Sequence, residues 1–86
     1  MKIEKKVWPE YFQAILDSRK NFELRLADFE VKSGDFLFLR EWDPAKKEYT
    51  GRSVEKEATY VIKTKEVNFW PKEEVEKYGY QVIGFK

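Results

Sequence analysis

The chain has 86 residues, of which 17 are basic and 16 acidic, giving a net charge of +1, and it contains neither Cys nor His. That length allows one hydrophobic core, so residues 1–86 are read as a single domain. Without Cys there is no disulfide scaffold, thiolate zinc site or thiol catalysis; without His there is no imidazole triad or usual zinc-water site; and a charge near zero rules out nucleic-acid binding by overall attraction alone.

No cofactor and no metal is therefore expected. The opening residues 1–8 lack the apolar run of a signal peptide and no stretch reaches eighteen apolar residues, so a cytoplasmic protein with no membrane partner is expected. Three Trp, five Tyr and seven Phe are expected to supply the core, because each buried ring removes about 150–250 Å² from water.

Ile3, Lys5 and Val7 alternate with Lys2, Glu4 and Lys6, the pattern of a short edge strand. Pro9 suits the first helical position and Glu10 the positive end of the helix dipole. Phe12, Ile15 and Leu16 then share a face, predicting a helix from Pro9 to about Asp17. From Asn21 the period becomes two, predicting a half-buried strand with Phe22, Leu24 and Leu26 inward and Asn21, Glu23 and Arg25 outward.

Gly34, between Ser33 and Asp35, marks a turn. Phe36-Leu37-Phe38-Leu39 is apolar on both faces and leads through Arg40-Glu41-Trp42 toward a rim. Asp43-Pro44 opens a turn with a polar tip from Ala45 to Glu48, and Tyr49-Thr50-Gly51 leads into a long partner strand, Arg52 to about Thr64. On that strand Val54, Ala58, Tyr60 and Ile62 are expected to share one face, with Ser53 to Glu57 solvated. Pro71, Glu73, Glu74, Lys77 and Gly79 carry the signals of a short helix, and Tyr80 to Phe85 closes the sheet.

The segment Ser18-Arg19-Lys20-Asn21-Phe22-Glu23-Leu24-Arg25 resembles the Gly-x-Lys-x-x-Glu-x-Arg signature of ASCH domains, with Ser18 in place of Gly. Trp8-Pro9-Glu10-Tyr11-Phe12, Gly34-Asp35, Leu39-Arg40-Glu41-Trp42-Asp43-Pro44 and Tyr49-Thr50-Gly51-Arg52 are also similar to stretches of small ASCH-domain proteins. The resemblance implies an α+β fold: a small PUA-like β-barrel of about five to six strands, with one N-terminal helix and one short C-terminal helix. It also implies a cleft beside the signature and a role linked to RNA or a nucleotide.

The chemistry of the trio suits such a ligand. Arg25 offers a planar fork to phosphate or a purine edge and Lys20 a mobile point charge, while Glu23 either accepts from exocyclic amines or orients Arg25. Arg40 and Trp42 are placed to set a cation beside a stacking ring, although Trp42 is equally suited to a core. Lys46, Lys47 and Arg52, with Arg19 and Lys20, are candidates for a patch that follows a phosphate backbone, or for a merely solubilising hairpin. The carboxylates Glu73, Glu74 and Glu76 are expected to be solvated. Trp70 and Tyr78 anchor the short helix or cap the cleft.

No catalytic residue is assigned. Two alternatives stay open. Some small ASCH-like proteins are amidohydrolases acting on acetylated cytidine through a Lys, a Thr and a Glu; aligned on Lys20, the expected hydroxyl position holds Glu23, which cannot supply that nucleophile in the same way. The aromatic surplus would also serve a protein-interaction module.

Overall fold

The computed structural model describes residues 2–66 and 69–86. Its elements are β1 (Lys2–Val7), α1 (Pro9–Leu16), β2 (Phe22–Leu26), β3 (Phe36–Asp43), β4 (Glu48–Lys63), a single 3-10 turn (Thr64–Glu66), α2 (Lys72–Tyr78) and β5 (Tyr80–Phe85). The five strands form one mixed sheet in the order β1-β3-β4-β5-β2. β1 runs parallel to β3, and every other pair is antiparallel. The expected barrel is met by an open sheet: β1 and β2 are its two edges, bridged by the Arg25 guanidinium, which donates from Nη2 to the Lys6 carbonyl.

Pro9 starts α1 where expected, with Trp8 in extended geometry as its N-cap. Phe12 and Ile15 are fully buried, whereas Leu16, expected beside them, is exposed. The helix ends through Ser18, which adopts the left-handed conformation at φ 62°. Backbone N–H groups of Arg19 and Lys20 then return to the Ala14 carbonyl at 2.9 and 3.1 Å. Both bonds converge on this one carbonyl, which the last turn would otherwise leave unpaired.

The core consists mainly of aliphatic side chains. Val7, Phe12, Ile15, Val31, Leu37, Leu39, Ala58, Ile83 and Phe85 form one buried cluster. The rings expected to fill it lie largely outside, with Trp8, Tyr11, Phe22, Tyr60, Trp70 and Tyr80 all exposed. A core built on the inner face of a single small sheet and one eight-residue helix holds few large rings, so the surplus is left on the surface.

Two strands turn the opposite way from expectation. On β2, Glu23 is buried at 4% exposure while Phe22, Leu24 and Leu26 are 47%, 59% and 57% exposed. On β4, a register shift between Ala58 and Tyr60 separates a buried Ala58 from an outward Tyr60 and Ile62. The extra residue reverses the alternation from that point, so the four positions expected on one face are divided between two. A second shift, between Arg40 and Trp42, lies opposite Gly51 at φ +100° and bends the hairpin toward its tip. β4 begins at Glu48, four residues before the expected start at Arg52.

Among the described residues, no helix is long and apolar enough to cross a membrane.

Candidate functional site

The turn at Ser18 delivers Lys20 to the edge of the sheet just before β2, and β2 then points Glu23 and Arg25 to the same side. Lys20 Nζ donates to Glu23 Oε1 at 2.7 Å, and Arg25 Nε donates to Glu23 Oε2 at 2.8 Å. The carboxylate is thus held between two cations at burial that an unpaired charge would not tolerate. Lys20 also donates to the Phe22 carbonyl at 2.7 Å. One of the three ammonium protons, and the Nη1 end of the Arg25 fork, make no hydrogen bond among the described residues.

Those two cations face a cleft of about 490 Å³ lined by Lys6, Val7, Trp8, Tyr11, Phe22 and Leu24 as well as the trio. It lies in the open seam of the sheet, between β1 and the start of α1 on one side and β2 on the other. Lys20 Nζ is 5.0 Å from the Phe22 ring centre and 5.9 Å from that of Tyr11. The Trp8 and Tyr11 rings lie within 23° of parallel, with centres 6.5 Å apart. The cleft therefore combines partly satisfied cations with flat apolar surface, the two requirements for holding a phosphorylated aromatic group.

Two smaller depressions continue from it. One, of about 310 Å³, shares Lys6 and Arg25 with the cleft and adds Glu4, Lys5 and Tyr49. The next, of about 260 Å³, shares Glu4 and Tyr49 with the first and adds Phe38, Arg40 and Arg52. Arg40 lies 3.6 Å over the Tyr49 ring, and Lys6 lies 3.8 Å over Trp42. The cation beside Trp42 is thus Lys6 and not Arg40, because Trp42 meets Tyr49 edge-on and Arg40 takes the face of Tyr49.

Of the candidate residues, Lys20, Glu23 and Arg25 come together in the cleft, and Arg40 and Arg52 line the far end of the adjoining surface. Arg52 is largely committed: its Nε and Nη2 each donate to Glu41 at 2.9 Å. The Arg52 hydrogen bonds, helped by one from Thr50, hold the buried Glu41 carboxyl below the usual glutamate range against the opposing effect of burial. Arg19 turns away to an exposed pair with Asp17 at 3.0 Å. Lys46 and Lys47 sit at the hairpin tip, where Asp43 Oδ1 accepts from the Ala45 and Lys46 N–H groups, and neither lines the cleft. Trp70 and Tyr78 line a separate pocket with Thr64, Val75 and Gly79. No group of three or more Asp or Glu among the described residues could hold a metal ion.

Lys6, Trp8, Tyr11 and Phe22 were not among the candidates. Trp8, Tyr11, Phe12 and Ile15 follow the i, i+3, i+4, i+7 spacing of an ordinary core-facing stripe, so the sequence carries no signal that Trp8 and Tyr11 stay exposed.

A family model described as a domain of unknown function, DUF3850, matches residues 3–85. The chain belongs to that family. This DUF3850 domain is 38% identical over 58 residues to an uncharacterized 12.9 kDa protein in the GpA 3' region of Escherichia phage P2; the match covers 67% of this chain and 51% of the phage protein. The chain thus spans about half the length of that relative. Its fold is similar to the crystal structure of hypothetical protein PH0355, with a TM-score of 0.69 at 19% identity, over 100% of this chain and 98% of the other. That likeness concerns the fold alone.

Proposed function

We propose that this DUF3850 domain is a recognition module for RNA or a nucleotide, held in the cleft that Lys20, Glu23 and Arg25 border. The observation that carries this reading is the meeting of two incompletely satisfied cations with the Trp8 and Tyr11 rings in one open cleft. The likeness of residues 18–25 to the ASCH signature supports the same reading.

In this account Lys20 and Arg25 meet phosphate, and a base stacks on exposed ring surface. Glu23 is a positioning residue: both its oxygens already accept from the cations. Overall charge contributes little, so affinity rests on local contacts and falls with salt.

Titration of a labelled single-stranded RNA, followed by anisotropy over a range of salt, tests the proposal. Binding through Z phosphates gives log K falling with log salt at a slope of about −0.7Z. Lys20→Ala and Arg25→Ala should each weaken binding several-fold at low salt and reduce the slope by about 0.7. Absence of binding at low salt, or binding indifferent to both substitutions, would overturn it.

The hydrolytic alternative meets a difficulty in the same geometry. The position of the expected nucleophilic hydroxyl holds Glu23, whose carboxylate is already paired on both oxygens. Release of cytidine from N4-acetylcytidine by the pure protein would restore that alternative.

A further inference from the structure

The outer face of β4, β5 and β2 is an ordered apolar array. Strand register places Tyr60, Gly84 and Phe22 side by side in one row. The next row is Ile62, Val82 and Leu24, and Tyr80 with Leu26 follows. Side chains directly opposite one another on neighbouring strands share a face, so these rows form one continuous surface. None of these positions carries a charge, although 38% of the chain is charged.

Tyr60 is 67% exposed, Leu24 59%, Leu26 57% and Phe22 47%, with Tyr80 and Ile62 just above 40%. Together they present roughly 600 Å² of contiguous apolar surface, the upper end of what a monomer carries. The row centre is also unusual. Gly84 has no positive φ, and a Cβ built there would meet Thr59 Oγ1 at 3.5 Å and nothing closer, which is ordinary contact. The chain's own packing therefore does not require glycine, and glycine inside a strand costs stability. A depression between the Tyr60 and Phe22 side chains is the kind of place where another surface approaches closely.

We propose that this face is the contact surface of a two-fold dimer of the chain. A patch without charge can meet its own copy without like-charge repulsion or the desolvation of ions. Two such faces remove roughly 1,200 Å² from water, the lower bound for a stable specific interface. Two sheets packed in this way lie about 10 Å apart, and a ring from each copy can enter the depression at Gly84 of the other. RNA is a poorer occupant, because Leu24, Leu26, Ile62 and Val82 separate the Tyr60, Phe22 and Tyr80 rings and none of the row positions is itself a cation.

Sedimentation velocity on the full chain, from about 1 to 200 μM, tests the proposal. A monomer–dimer equilibrium that stops at two copies is expected. Leu26→Glu and Gly84→Leu lie outside the cleft, and each should weaken association at least tenfold without changing the circular dichroism spectrum. A sharply monomeric protein over the whole range, open-ended association beyond two copies, or a dimer unaffected by both folded variants would each overturn it.

Discussion

Glu41 and Glu23 are both buried carboxylates held by arginine, yet they do different work. Glu23 divides its two oxygens between Lys20 and Arg25 at the mouth of a cleft, leaving both cations with donors to spare. Glu41 takes both forks of Arg52, a hydrogen bond from Thr50 and no ligand-facing role. Its carboxyl is held below the usual range chiefly by the Arg52 hydrogen bonds. A depressed folded value means that folding favours the ionised form, so its contribution is complete above the unfolded glutamate pKa of about 4.3 and is lost as pH falls through the lower folded value. Thermal melting between pH 7 and pH 3 should show the wild type losing stability on acidification more steeply than Glu41→Gln. The two curves should converge at the acid end. Parallel curves would mean that Arg52 contributes nothing through this carboxylate, as its half-exposed side chain would allow.

At the scale of elements, the connection from α1 to β2 decides where the trio points. Ser18 makes that connection at φ 62°, a conformation that costs a residue with a Cβ on the order of 1 kcal/mol. Ser18→Gly should therefore stabilise the domain by about 0.5–1 kcal/mol, a rise in melting temperature of roughly 2–8 °C. An unchanged or lower value would show that the turn carries no such strain.

Element positions were legible because Pro9, Gly34, Asp43-Pro44 and Pro71 punctuate the chain, and each stands at or beside an observed boundary. Faces were harder to read. Period-two alternation says that Phe22 and Glu23 lie on opposite sides of β2, and it does not say which side is inward. Hydrophobicity favoured Phe22, but Lys20 and Arg25 neutralise Glu23 and make its burial tolerable. On β4 the reversal comes from a bulge after Ala58 that no Gly or Pro announces. The trio was singled out by its likeness to the ASCH signature, with strand spacing placing Glu23 and Arg25 on one side, while its aromatic neighbours come from β1, α1 and the outward face of β2, which only the tertiary fold brings together.

At the scale of the whole molecule, these reversals give the domain two unlike surfaces. The seam between β1 and β2 carries cations and rings around one open cleft, and the outer face of β4, β5 and β2 carries apolar side chains with no charge. A net charge of +1 then has a clear consequence: any attraction for an anionic ligand is local to the seam and is screened within about 10 Å at 0.1 M salt. The exposed cations elsewhere, such as Lys46 and Lys47 at the hairpin tip, are spectators in this account.

Mapping amide chemical shifts of the 15N-labelled domain during titration with a short single-stranded RNA at low salt tests the cleft most directly. The account predicts saturable shifts concentrated on residues 6–11 and 20–25, with Lys46 and Lys47 unmoved. Shifts confined to the hairpin tip or to residues 58–63 and 80–85, or no shifts at all, would contradict it.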